Sequence, residues 1–241
     1  MEVLRMSDYK DKFKLNVKQN IFLAKKSIVQ NIYNSARLEG INVTFPETQT
    51  ILDGINIANI GLNDLETILN LRDAWKYLLR TVDEPLDVGY ICKVNFYISR
   101  NESLDWGVLR YGEVGIGGTD FKPPIPNREV VELKLNEIND LPSTTERALE
   151  YFAWAVKNQL FWDGNKRTST LIANKILIEG GAGILTVPDN KIIEFNRELS
   201  LYYNFDNKER FKEYIYKNLI VGMTIEKQKE NVISDEWEPE V

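Results

Sequence analysis

The sequence predicts an all-α helical bundle carrying one inserted β-hairpin flap, and three observations lead there. Apolar residues recur at helical spacing over most of the 241 positions. Between residues 99 and 126 that period stops, and Gly107, Gly112, Gly115, Gly117, Gly118, Pro123, Pro124 and Pro126 take its place. No internal repeat or linker-like stretch divides the chain, so a single domain over 1–241 is the economical reading.

Each element has its own signal. Residues 17–37 carry Ile21, Phe22, Ala24, Ile28, Ile32 and Tyr33 at helical spacing. Asn63 or Asp64 is expected to cap a helix to about residue 79, with Leu65, Ile68, Leu71, Trp75 and Leu78 inward. A further helix is expected over 88–98. Two short extended pieces, 108–110 and 113–116, flank Tyr111 and Gly112 and read as a hairpin-like excursion. The helical pattern returns at Arg128. Ser143 or Thr144 then caps a helix whose Ala148, Leu149, Phe152, Ala155 and Val156 face inward. Residues 166–179 form the most apolar helix, the kind found at the centre of a bundle, and Gly180 with Gly181 ends it. Helices over 190–203 and 208–219 close the core, and the charged stretch 226–241 reads as a flexible acidic tail.

Composition removes many function classes. The chain has no histidine, which excludes Ser-His-Asp triads, histidine metal sites and histidine proton transfer. Cys92 is its single cysteine, so there is no internal disulfide and no cysteine-based metal cluster. A formal charge of -6 without a basic block argues against a nucleic-acid partner. The first ten residues lack a signal-peptide apolar run, and no stretch reaches the roughly 20 apolar residues of a membrane span. The expectation is a cytoplasmic protein with no membrane partner.

One segment carries chemistry. Asp163, Gly164 and Asn165 form a turn between two apolar helices, and by themselves they are an ordinary capping turn. Lys166 and Arg167 then fall in the first helical turn, where cations oppose the macrodipole by up to about 1 kcal/mol each. Backbone donors and two cations converging on one helix start make a phosphate site. A neighbouring carboxylate, Asp163, suits the Mg²⁺ that accompanies nucleotide phosphates. The capping turn and the polyphosphate site both remain open on this chemistry.

The run from Gln159 through Phe161, Asp163, Gly164, Asn165 and Lys166 to Arg167 resembles the active-site motif of the Fic/Doc (Fido) family, normally His-x-Phe-x-Asp/Glu-Gly-Asn-Gly/Lys-Arg. Ser35 to Gly40, with Glu39, resembles that family's inhibitory-helix pattern, here on a helix of about 18–40. Residues 110–124, with Gly115, Ile116, Gly117 and Gly118, resemble its target-docking flap. The resemblance covers a core of about 88–220. It implies a Fic-type bundle that transfers AMP from ATP to a Ser, Thr or Tyr hydroxyl of a protein docked on the flap, and it leaves a homodimer open. Carried over by residue, Asp163 would hold Mg²⁺, while Asn165 with the Gly164 and Lys166 amides would bind phosphates. Arg167 would neutralise phosphate charge, Phe161 would anchor the loop, and Ser35 and Glu39 would be inhibitory.

Two departures qualify that implication. The family's catalytic His falls on Gln159, and an amide has no useful basicity. A positioned general base is worth about 10²–10⁴ in rate. Thr170 stands where many relatives carry a second arginine, which leaves two alternatives: Glu39 pairs with Arg167 or Lys166, or inhibition is weakened. Two classes of function follow: a weak or degenerate adenylyltransferase, or a non-catalytic nucleotide- or partner-binding pseudoenzyme. Lys166 also matches the Doc branch, whose reaction is phosphoryl transfer. Trp154, Trp162, Tyr202 and Tyr203 could offer a face for adenine but read first as packing, and Asn95 and Asn174 read as helix-surface or satisfied core polar groups rather than ligands.

Overall fold

The computed structural model describes residues 9–55, 57, 58 and 60–224. The tail expected over 226–241 lies outside the described residues. The chain begins with α1 (Val17–Lys26) and α2 (Ile28–Leu38), followed by α3 (Phe45–Leu52), α4 (Leu62–Arg80) and α5 (Val88–Ile98). Then come α6 (Arg128–Asn139), α7 (Thr144–Asn158), α8 (Asn165–Glu179), α9 (Ile192–Phe205) and α10 (Lys208–Asn218). The architecture is the predicted helical bundle, with α8 at its centre. Every α8 residue except Lys166 and Glu179 is buried. Helix α7 packs along α8, and α1, α4 and α5 cover its other sides. On the far side of α7, Phe152, Phe195 and Phe211 form an aromatic cluster with ring centroids about 6 Å apart.

Capping chemistry explains most helix starts. Asp87, Asn127, Ser143 and Asn207 accept backbone N–H groups from α5, α6, α7 and α10. The long helix expected over 17–37 is two helices. Ser27, at φ −97° and ψ 7°, breaks the period, and its N–H bonds back to Leu23 and Lys25. Helix α3 went unread in the sequence although Thr44 and Glu47 form a full capping box with Pro46 inside it. Helix α4 starts earlier than expected, after Gly61, and uses no side-chain cap; Asp64 sits instead in its first turn. The helix expected from 190 opens as a 3₁₀ turn, Asp189–Lys191, before α9.

The excursion between α5 and α6 lies where the sequence puts it, extended but without a strand ladder. Prolines 123, 124 and 126 cannot donate to one, and the side chain of Arg110 occupies the carbonyls of Gly112, Pro123 and Pro124. The antiparallel pair among the described residues joins β1 (Ile184–Leu185) to β2 (Ile220–Val221), in register Ile184 to Val221. No helix among the described residues is long and apolar enough to cross a membrane.

Candidate functional site

The turn between α7 and α8 is built to hold an unusual backbone. Gln159 ends α7 in the left-handed region at φ 46°, and Gly164 starts α8 there at φ 69°. A Cβ at Gly164 would lie 2.2 Å from Ser99 Oγ and 2.6 Å from Ile98, so the loop presses directly on α5. Asn95 and Ser99, one turn apart on α5, both donate to the Asp163 carbonyl, at 3.1 and 3.0 Å. Asn95 also reaches Thr168 Oγ1 and accepts the Gly107 N–H. It is the satisfied buried polar group expected from sequence, and its satisfaction is what holds the turn. Asn174 is likewise satisfied, by Thr170 and Leu185. Phe161 is buried in the core, anchoring the loop as expected.

Asn165 has a different place from the one its motif position implies. Its side-chain amide closes a ring on Phe161, accepting the Phe161 N–H and donating to the Phe161 carbonyl, both at 2.8 Å. That amide shapes the loop. What Asn165 presents to an anion is its backbone N–H at the start of α8, an N-terminus with no side-chain cap.

Around this helix start the charges gather. Glu39 ends α2, and its carboxylate lies 3.3 Å from Lys166 Nζ and 3.6 Å from Arg167 Nε. Lys166 Nζ also donates to the Leu38 carbonyl. Arg167 is 5% exposed and pairs at 2.7 Å with Glu102, which Asn70 holds from behind. Its Nε is buried with no hydrogen-bond partner and faces Glu39. Asp163 is half exposed, accepts the Gly164 N–H at 2.5 Å, and lies 3.7 Å from Arg167. Three carboxylates thus face two cations. Ser35 lies a turn before Glu39, beside Thr170, in a small polar cavity also lined by Asn31 and Trp75. Thr170 Oγ1 is spent on the Lys166 carbonyl.

Glu39, Gln159, Asp163, Gly164, Asn165 and Lys166 line one cleft of about 360 Å³. Gly115 and Ile116 of the excursion reach its rim, whereas Gly117 and Gly118 do not line it. Tyr203 and Leu199, one turn apart on α9, complete the wall with Trp162. Gln159 Nε2 donates to the Val156 carbonyl at 2.6 Å, and the Tyr203 hydroxyl donates to the same oxygen at 3.2 Å. Burial pushes the Tyr203 pKa up, against a smaller opposing effect from its hydrogen bond with Gln159. Neither group is a base near neutral pH. Glu102, Asn95 and Ser99 are the contributors that motif reading passed over. The last two are spaced i and i+4, Asn95 within α5 and Ser99 at its C-cap.

No group of three acidic, histidine or cysteine residues able to hold a metal occurs among the described residues. Mg²⁺ is commonly held by one or two carboxylates with water and phosphate oxygens completing the shell; the half-exposed Asp163 carboxylate and that of Glu39 line this cleft.

The Fic/DOC family model matches residues 85–177. Curated relatives include the proteins called protein adenylyltransferase Fic in Drosophila melanogaster and Drosophila sechellia. Each is 26% identical over 191 residues, covering 75% of this chain and 37% of the relative. The chain therefore spans little more than a third of those relatives. Among solved structures, Fic-1 of C. elegans superposes with a TM-score of 0.68 at 19% identity, over 83% of this chain and 62% of that one. A Fic domain-containing signalling protein of Bacteroides thetaiotaomicron does so with a TM-score of 0.68 at 18% identity, over 84% of this chain and 86% of that one. These two likenesses show a shared fold.

Proposed function

We propose that this chain, which belongs to the Fic/DOC family through residues 85–177, binds ATP at the start of α8 and is a weak or degenerate relative of protein adenylyltransferases. One observation carries the reading. Beside the uncapped N-terminus of α8, Lys166 and the orphaned Nε of Arg167 both face the Glu39 carboxylate, an anion in the place this reading gives to a phosphate. Such a cradle takes phosphate oxygens because donors and positive charge are fixed before the ligand arrives.

In the reaction that the curated relatives' name denotes, a protein hydroxyl attacks the α-phosphorus of ATP. The new O–P bond forms as the bond to the pyrophosphate oxygen breaks, pyrophosphate leaves, and the hydroxyl proton must go to a base. Asp163 would hold Mg²⁺, which supplies charge neutralisation on the phosphates. Gly115 and Ile116 would flank an incoming target segment at the rim. Gln159 can hold the hydroxyl through its amide oxygen but cannot keep its proton. Glu39 would compete with the phosphates for Lys166 and Arg167.

A second reading, a nucleotide-binding pseudoenzyme, is favoured by one observation: the Gln159 amide nitrogen is committed to the Val156 carbonyl, which leaves the Glu39 and Asp163 carboxylates as the candidate bases lining the cleft, one paired with Lys166 and the other assigned to Mg²⁺. Labelled ATP distinguishes these. Binding should raise the melting temperature, and Lys166→Ala should weaken it about tenfold or more. Label passing from the α-phosphate to protein means AMP transfer, and label from the γ-phosphate means phosphoryl transfer of the Doc kind. Binding without either supports the pseudoenzyme. No shift and no heat at saturating Mg²⁺-ATP would reduce the cradle to a turn.

A further inference from the structure

Arg110 is 1% exposed, yet its guanidinium meets no carboxylate among the described residues. Every hydrogen bond it makes there goes to a backbone carbonyl. Nε donates to Gln159 at 2.5 Å and Nη1 to Gly112 at 2.5 Å. Nη2 is shared among Pro123 at 3.2 Å, Pro124 at 2.6 Å and Asn158 at 3.3 Å. Its own backbone N–H donates to Leu160 at 3.0 Å. Burial lowers its pKa, as for any cation taken out of water. A guanidinium does not deprotonate in response, so the charge stays and the fork of donors must repay it.

The acceptors come from three places that nothing else ties so closely. Asn158 and Gln159 stand at the negative end of α7, where a cation is favoured. Gly112 lies on the outgoing leg of the excursion, and Pro123 and Pro124 lie on its returning leg. Beside them, Gly112 packs so tightly on the Trp162 indole that a Cβ would lie 2.5 Å from it. Tyr111 meets the same ring edge-on at 5.2 Å. A planar fork with five donors can span acceptors on opposite sides; an ammonium on a single stem cannot.

We propose that Arg110 is a positioning residue that fixes both legs of the excursion to the left-handed backbone of Gln159. The rim at Gly115 and Ile116 and the side chain of residue 159 then keep one registration across the cleft. The consequence for a docked protein target rests on the function proposed above, whereas the coupling itself does not.

Hydrogen exchange tests the coupling without any substrate. In the wild-type chain, the Arg110 Nε–H should be protected and should exchange at the same opening rate as the residue-110 amide, which bonds the Leu160 carbonyl. An Nε–H that exchanges as freely as that of Arg197, on the surface, would overturn the proposal. In Arg110→Lys, exchange of the residue-110 and Gln159 amides, which are bonded to Leu160 and Ala155, should quicken by about tenfold or more while Leu171 to Ile178 of α8 is unchanged. Equal acceleration in both regions would make Arg110 an ordinary core residue, and no acceleration would make it dispensable; either result overturns the proposal. Should Arg110→Lys not fold, the wild-type Nε–H measurement decides alone. Failure of the chain to bind ATP would remove the nucleotide reading and leave these exchange results standing.

Discussion

At the scale of single residues, the proposed function turns first on Gln159, which stands where the family motif has a histidine. Gln159 occupies the left-handed end of α7 and lines the cleft with Asp163 and Lys166. Gln159→His should therefore create or raise transfer activity by about 10²–10⁴, the usual worth of a positioned general base. The gain should need Mg²⁺ and vanish with Asp163→Ala. Labelled α-phosphate incorporation measures it, and a silent variant that still binds ATP would mean that more than the base has been lost. Glu39 is the second residue with a decisive role. Its carboxylate sits within 3.6 Å of both site cations, so Glu39→Gly should tighten Mg²⁺-ATP binding about tenfold or more, on the scale of a charge-assisted contact. Calorimetry that returns the wild-type affinity would show that Glu39 and the phosphates do not compete. Arg167 differs from Lys166 because it is buried and already paired with Glu102. Its replacement would report on folding as well as on binding.

At the scale of elements, the turn before α8 is a joint pressed onto α5. Gly164 combines a positive φ with a Cβ position 2.2 Å from Ser99 Oγ. Gly164→Ala should destabilise the fold by at least about 2 kcal/mol, since left-handed strain and overpacking add. Denaturant unfolding measures the loss. A variant within about 0.5 kcal/mol of wild type would show that α5 yields easily and that the turn is not held by contact. The same joint explains why Asn95 belongs to the site without lining it. It spends both ends of its amide on the turn and on Gly107, so α5 fixes the loop and the start of the excursion together. Helix α2 is attached differently. It is cut from α1 at Ser27, packs on α3 and α4, and meets the start of α8 through Glu39, Lys166 and Arg167, so the contact at its end is electrostatic.

At the scale of the molecule, acid stability depends on a charge cluster far from the cleft. Glu150 on α7 is buried among Lys134, Lys208 and Lys212. Burial works to raise its pKa, but the hydrogen bond and charge of Lys208, with Lys212 and Lys134, outweigh it and hold the group at about 2. A carboxyl depressed in the folded state stabilises above its unfolded pKa, and that contribution fades as pH falls through the folded one. Wild-type stability should therefore decline between about pH 4.5 and pH 2. Glu150→Gln should be less stable at neutral pH by roughly 3–5 kcal/mol, because Lys208 loses its partner while Lys134 and the buried Lys212 keep only Glu137 and Glu209. Its stability should also lose part of the pH dependence in that window. Urea unfolding across pH 2–7 reads both effects, and parallel curves for the two proteins would remove Glu150 as the source.

The sequence by itself determined the bundle, its central helix and the segment that carries the chemistry, because those depend on local period and on caps that act within a few residues. The cap of α7 and the starts of α5, α6 and α10 are of this kind. It also determined that no histidine can serve as the base, which is a matter of composition. Only the tertiary structure decided how the site is wired. The Asn165 amide turns to Phe161, Glu102 claims Arg167, Asn95 and Ser99 reach the Asp163 carbonyl, and Arg110 replaces a strand ladder with a fork of carbonyl contacts. Apart from the Asn165–Phe161 ring, which spans four positions, these join residues distant in the chain, up to 68 positions apart for Asn95 and Asp163. Local patterns carry no record of which helix a loop is pressed against. Packing chooses the neighbour, and the neighbour then sets what each polar side chain is free to do.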